Sequence, residues 1–253
     1  MKHVKQVKAV RHELSDYNAL KIKKVTSKTY RAFLKAYETN FRSKKAIELA
    51  YATNKEFKNF LVPDEKCGLA DPTHTLTKKM TRRLKKGGLP DVIYVSPYLR
   101  TMETYETMVA VWPELKFVRM VSDPRVQERS YGKVANNVDW RVYFTLNPEQ
   151  KEIFDAFGEH AAYRYSYPGG ESIHGVKQRV ASFLNSIHRE YPGKKVLIVT
   201  HTLIVMVLRL IIEELSIDDF IKMDKKDKPV NNGITIFKKD PGQHRLSLLS
   251  YNK

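Results

Sequence analysis

Short apolar runs rich in β-branched residues alternate along this chain with longer segments whose apolar residues recur every three to four positions. The runs are Val4–Val10, Val92–Ser96, Lys116–Val121, Lys195–Thr200 and Ile234–Lys238, with Leu246–Ser250 as a weaker edge candidate. Helical spacing falls at Thr77–Lys86, Thr101–Val111, Pro148–Phe157, Ile173–Tyr191 and Leu203–Leu215. Strands that alternate with helices pair mostly in parallel, and a parallel sheet is buried on both faces. The expected fold is therefore α/β, a mostly parallel central sheet flanked by helices on both faces, with a helical insertion after the first strand.

Two segments interrupt the alternation. Residues from about 27 to 62 carry helical spacing (Ala46, Ala50, Phe57, Leu61) and read as the insertion. Residues from about 133 to 168 are rich in aromatics and arginine (Trp140, Arg141, Tyr143, Phe144, Tyr163, Arg164, Tyr165, Tyr167) and read as a lid-like segment. With no repeat, low-complexity tract or long Pro/Gly/Ser linker, residues 1–253 are expected to form a single domain. Hydrophobic residues make up 42% of the sequence, which is not a disordered composition. A single cysteine, Cys67, rules out an intrachain disulfide and fits a reducing cytoplasm, the expected location. The N-terminus MKHVKQVKAV lacks the unbroken apolar region of a secretion signal. The longest apolar stretch, Val196 to Leu208, is broken by Thr200-His201-Thr202, so no membrane association is expected.

The strand ends carry the chemistry. VKQVKAV leads straight into Arg11-His12, with Ser15, Tyr17 and Asn18 just beyond. DVIYVS leads into Ser96-Pro97-Tyr98-Leu99-Arg100-Thr101, a further segment holds Gln127-Glu128-Arg129, and KKVLIVT ends in His201. In a parallel sheet these ends share one edge, where open α/β folds bind ligands. Two histidines, two arginines and a glutamate gathered there suit phosphoryl transfer. A neutral imidazole attacks phosphorus well and splits one displacement into two. Arginines and a second histidine hold the phosphoryl oxygens, and a carboxyl group protonates the leaving oxygen. The chemistry calls for no cofactor, and the sequence shows no HExxH, CxxC or Walker spacing that would mark a metal site.

These motifs resemble those of the histidine phosphatase (phosphoglycerate-mutase-like) superfamily. Arg11-His12 resembles the start of its Arg-His-Gly motif and Leu76-Thr77 the opening of its first helix. Ser96-Pro97 through Arg100-Thr101 resembles its Ser-Pro-x-x-Arg-Thr motif, and Glu128-Arg129 through Gly132 its Glu-Arg-x-x-Gly motif. Tyr167 through Ser172 resembles its Pro-Gly-Gly-Glu-Ser motif, and Val199-Thr200-His201 the segment with its second histidine. The resemblance implies His12 as nucleophile, Glu128 as proton donor, Arg11, Arg100, His201 and Asn18 as phosphate ligands, and Ser15 beside them in substrate binding. It implies a metal-independent phosphatase of phosphomonoesters acting on a small phosphorylated molecule. A mutase of the phosphoglycerate type and a weakly active phosphate- or nucleic-acid-binding protein are the rivals. Whether the chain forms a homo-oligomer stays open.

Three residues depart from the family pattern. Glu13 stands where the family has glycine, Leu14 follows where glutamate is usual, and Thr202 replaces the glycine that often follows the second histidine. A carboxylate facing a phosphate would weaken binding, so a working enzyme should turn Glu13 away. Glu171-Ser172 is expected to cap the helix that begins near Ile173. His3, His74, His160, His174, His188 and His244 stand in no motif and read as surface or structural.

The formal charge of +17 is spread along the chain in short lysine clusters rather than concentrated in one arginine-rich stripe. Nucleic acid is therefore not expected as a partner. Binding to duplex DNA should be weak and should collapse between low salt and about 150 mM. A fluorescence-anisotropy titration checks this, and tight sequence-selective binding at physiological salt would overturn it.

Overall fold

The computed structural model describes residues 3–239, 242 and 245–252; His244 and the first two residues of the basic N-terminus lie outside them. The chain divides into two compact units. One comprises Met1–Ser15, Gly68–Glu128 and His174–Lys253, and the other Asp16–Cys67 and Arg129–Ile173.

The first unit is built on a sheet of six strands: β1 (Gln6–Arg11), β2 (Val92–Val95), β3 (Met120–Ser122), β4 (Lys195–Thr200), β5 (Ile234–Lys239) and β6 (Leu246–Ser250). Their order is β3-β2-β4-β1-β5-β6. The first four are mutually parallel, β5 runs antiparallel to β1, and β6 pairs antiparallel with β5. Alternate residues of β1, β2 and β4 point to opposite faces. Val10, Ile93, Val95, Leu197 and Val199 share a cluster with Met80 and Leu84 of α4 (Thr75–Lys85) and Met108 of α5 (Leu99–Val111). On the other face Tyr94 meets Phe183 of α9 (Ile173–Glu190) edge-on at 5.0 Å. Helix α10 (Thr202–Ile212) packs against β1 and β6. With both faces covered, these strands read as unbroken apolar runs rather than alternating ones.

Three expectations need correction. The run Lys116–Val121 is not one strand: Pro113–Phe117 is a 3-10 turn, and only Met120–Ser122 pairs, with β2. Pro113 presets the helical φ at the start of the turn. Phe117 is 91% exposed, so no buried face holds it in an extended conformation. Helix formation after the first strand begins at α1 (Asp16–Thr26), earlier than about residue 27. This helix buries only Leu20 and so shows little apolar stripe. Helix α11 (Ile217–Lys226) was hidden behind its charge run; Ser216 caps it by accepting from Asp219 N–H, and Phe220 and Met223 bury its apolar face.

The second unit contains α1, α2 (Lys28–Asn40), α3 (Lys44–Phe57), α6 (Trp140–Leu146), α7 (Pro148–Ala156) and α8 (Ala161–Arg164). Ser27 and Ser43 cap α2 and α3 through their hydroxyls. Tyr30, Phe33, Ala50 and Val142 form one cluster, and Tyr143, Phe144, Tyr165 and Tyr167 another. Much of the aromatic segment thus serves as core. Buried Asp139 binds Lys24 Nζ at 2.7 Å and Tyr30 Oη at 2.8 Å. Burial opposes its charge, but these partners outweigh it and hold the carboxyl below its usual range.

The Glu-Arg-x-x-Gly and Pro-Gly-Gly-Glu-Ser segments lock together through their backbones. Ser130 and Glu171 exchange hydrogen bonds, Glu171 N–H to Ser130 O at 2.9 Å and Ser130 N–H to Glu171 Oε2 at 3.1 Å. The Glu171 carboxylate is therefore a latch between loops. Arg129 donates to the carbonyls of Glu171 and Tyr165. A Cβ on Gly132 would fall 2.3 Å from Pro168 O and 2.5 Å from Gly170 N, and Gly132 has φ of 51°. Only glycine fits both constraints. Gly132→Ala should cost more than about 2 kcal/mol and lower Tm by at least about 5 °C. Gly158→Ala, also at positive φ but with nothing within 4 Å of the added carbon, should cost about 1 kcal/mol. Thermal melts of both variants check this, and equal shifts would show that the loop contact contributes nothing.

Candidate active site

The register of the sheet assembles the site. Arg11 pairs with Thr200 and Val95 with Val199. The ladder continues one step beyond the strands, with His12 N–H donating to Thr200 O at 2.9 Å and Ser96 N–H to Val199 O at 3.1 Å. His12, Ser96 and His201 thereby leave three adjacent strands at one level. The two imidazole rings meet edge-on, centroids 5.1 Å apart. Arg100, in the first turn of α5, reaches back so that its Nε donates to His12 Nε2 at 3.2 Å.

His12 is held in one tautomer. Its Nδ1 lies 2.5 Å from the carbonyl oxygen of Glu13, which can only accept, so Nδ1 carries the proton. Nε2, which accepts from Arg100, keeps its lone pair. The backbone carbonyl of His12 accepts from Asn231 Nδ2 at 3.1 Å.

His201 is fully buried. Burial first, then the charges of Arg100, His12, Arg179 and Arg11, push its pKa well below the ordinary value, so the ring is neutral at pH 7. Ser96 Oγ lies 2.7 Å from His201 Nε2 and accepts from Tyr98 N–H at 3.4 Å. With the hydroxyl proton given to Nε2, His201 holds its own proton on Nδ1, which is buried without a partner. Arg11 binds Pro229 O through Nη1 at 2.6 Å, and its Nε is likewise buried without a partner. Burial lowers the Arg11 pKa, with Glu128 working against that and Arg100 adding to it. Glu128 is thus the carboxylate in the field of Arg11. Its approach is fixed by Thr200 Oγ1, which donates to Val126 O at 2.6 Å, and by Arg179, whose guanidinium donates to Arg125 O at 2.8 Å and Glu128 O at 3.2 Å. The site gathers fixed positive charge and unpaired donors, an arrangement that attracts an anion.

The first unit therefore brings together His12, Arg11, Arg100, His201 and Glu128. Ser15 lies in the same unit, buried in an antiparallel bridge with Leu69. Asn18 lies on α1, in the second unit. Glu13 is fully buried, and its carboxyl points to Thr77, Oγ1 to Oε2 2.5 Å, with His74 Nδ1 3.7 Å away. Neither Glu13 nor Thr202 adopts positive φ, so the backbone needs no glycine at either place. Among the described residues no group of three or more His, Cys, Asp or Glu side chains could hold a metal ion, and no helix is long and apolar enough to cross a membrane.

Sequence reasoning missed Arg179, Asn231, Asn232 and the place of His74. Arg179 is one cation among many on a polar helix and gives no signal. Asn231-Asn232-Gly233 is a turn signature, and Asn232 does adopt φ of 58°, but nothing in it announces contact with His12.

Comparison with known proteins agrees with the fold. A phosphoglycerate mutase-like protein of Arabidopsis thaliana is 31% identical over 97 residues, which is 38% of this chain and 31% of that relative. The chain thus matches about a third of that relative's length. The alpha-ribazole phosphatase of Shigella flexneri superposes with a TM-score of 0.66 at 14% identity, covering 98% of this chain and 96% of the other. A mycobacterial glucosyl-3-phosphoglycerate phosphatase in complex with inorganic phosphate gives 0.63 at 14% identity, covering 99% and 98%. A mutant phosphoserine phosphatase of Entamoeba histolytica in complex with phosphoserine gives 0.61 at 16% identity, covering 98% and 96%. The family model of the histidine phosphatase superfamily (branch 1) matches residues 68–252, which includes Arg100, Glu128 and His201 and begins after His12. By that match over most of its length, this chain belongs to the histidine phosphatase superfamily.

Proposed function

We propose that the chain hydrolyses phosphomonoesters of small molecules through a phosphohistidine at His12. The observation that carries this reading is the Nδ1 contact to the Glu13 carbonyl, which leaves a lone pair on Nε2 among three cationic side chains. An arriving phosphoryl group takes over the Arg100 Nε–H that Nε2 accepts in the free site, and gains donors from Arg11 and His201. Nε2 then attacks phosphorus while the ester P–O bond breaks, and Glu128, entering as the acid, protonates the leaving oxygen. In the second step the Glu128 carboxylate takes a proton from water. The hydroxide oxygen bonds to phosphorus, the N–P bond breaks, and inorganic phosphate leaves. The phosphatases among the structural relatives support the reaction class. The mutase-like name of the Arabidopsis relative favours one alternative, return of the phosphoryl group to a second position on substrate. Slow phosphate release stimulated by a bisphosphorylated sugar acid would select that alternative.

His12→Ala should abolish turnover and leave the melting curve in place. Wild-type protein quenched during turnover should carry acid-labile, base-stable phosphate that this variant lacks. Turnover by His12→Ala near the wild-type rate would show the mechanism to be wrong.

Glu128→Gln should slow alkyl phosphates by about 10²- to 10⁴-fold, the usual contribution of general acid catalysis. p-Nitrophenyl phosphate, whose leaving group departs without a proton, should lose far less in the acid-assisted step. Comparison of kcat/KM for the two substrates checks this, and equal losses would assign Glu128 a structural role.

A further inference from the structure

The backbone N–H and carbonyl of Glu13 and its carboxylate Oε2 are engaged, while Oε1 is buried without a partner. Its carbonyl accepts the proton of His12 Nδ1. Its N–H donates to Thr104 Oγ1 at 3.3 Å, and Thr104 donates its own proton to Arg100 O at 2.7 Å, so the residue is tied to the helix turn that carries Arg100. Its carboxyl accepts from Thr77 Oγ1 on α4. Thr77 also lies 3.0 Å from the Asn232 side-chain amide, and Asn232 N–H donates to Arg11 O at 3.1 Å. The chain of contacts closes on itself: Arg11, His12, Glu13, Thr77, Asn232 and back to Arg11.

The proton inventory of that ring is consistent. Thr77 has one hydroxyl proton, and the 2.5 Å contact places it between Thr77 and Glu13. Asn232 then meets Thr77 as a donor once its amide is turned by half a rotation, which also supplies a partner for the otherwise unpaired Nδ2. Thr77, Glu13 and Asn232 are all buried, so water does not compete for these bonds.

We propose that Glu13 is a positioning residue for the nucleophile. Its anchored side chain stops the peptide between Glu13 and Leu14 from turning, and so keeps the Glu13 carbonyl on Nδ1 and the lone pair on Nε2. A glycine at this place keeps the carbonyl and the N–H bond to Thr104 but lacks the side-chain anchor on Thr77. When the carbonyl turns away, Nδ1 loses its acceptor, only the Arg100 Nε–H still opposes a proton on Nε2, and the fraction that carries one has no lone pair left to attack phosphorus. The loss falls on the chemical step and not on phosphate binding, because the carboxyl faces Thr77 and not the arginines. The proposal rests on His12 being the nucleophile, so its main readout is one that needs no turnover.

The experiment compares wild type, Glu13→Ala and Glu13→Gln. Nitrogen chemical shifts of His12 in the resting protein should report the Nδ1–H tautomer in wild type and a gain of Nε2–H in Glu13→Ala. kcat on p-nitrophenyl phosphate should fall about 10- to 100-fold in Glu13→Ala. KM and the inhibition constant of inorganic phosphate should stay within about twofold. Glu13→Gln keeps an acceptor for Thr77 and should recover most of the rate and the wild-type tautomer. If Glu13→Ala does not fold, Thr77→Val, which removes the anchor and keeps the volume, should shift the tautomer in the same direction. An unchanged tautomer in the folded variant, or a loss confined to KM, would overturn the proposal. A wild-type protein inactive on every phosphomonoester but showing the tautomer shift would overturn the enzymatic reading and support the positioning.

Discussion

Parallel pairing of β1 with β4 and of β4 with β2 brings three strand ends to one level, and the chemistry at that edge depends on it. Side chains alternate between faces, so a slip of one residue would send apolar side chains from one face to the other and separate His12 from His201. The register is secured because Val10, Leu197 and Val199 pack on one face while Tyr94 packs on the other. Hydrophobic burial between α4, α5 and the sheet thus sets the position of two imidazoles that contribute little to stability themselves.

The edge so built is electrostatically strained in the direction useful for binding an anion. Arg11, Arg100 and Arg179 act together on the buried ring of His201, and burial alone already disfavours its charged form. Like charges kept this close in a low dielectric repel, and Arg11 Nε and His201 Nδ1 are buried there without a partner. Glu128 brings a carboxyl group into the field of Arg11, its backbone carbonyl held by the Arg179 guanidinium at 3.2 Å.

The position after His12 shows how a motif can change while its geometry survives. Family glycines suggest a backbone that only glycine can adopt, yet Glu13 has no positive φ and Thr202 none either. What the site needs there is a carbonyl at Nδ1, and any residue supplies one. The carboxyl of Glu13 is accommodated because α4 offers Thr77 and the turn before β5 offers Asn232. At Gly132 the reverse holds: the atoms of Pro168 and Gly170 leave no space for a side chain.

Much of the plan was legible in the residue order. Apolar β-branched runs identified the strands because a sheet covered on both faces admits little else, and the residues following them named the reacting groups. The edge strand, α1 and α11 were less legible, since each buries few side chains and so leaves little periodic trace. What the sequence by itself determined was the class of fold and the inventory of His12, Arg11, Arg100, His201 and Glu128. What only tertiary structure decided was which nitrogen of His12 carries the proton, that Arg179 and Asn231 join the site, and that Glu13 turns toward Thr77. These are matters of ångström-scale contacts between residues far apart in sequence, and local pattern carries no record of such contacts.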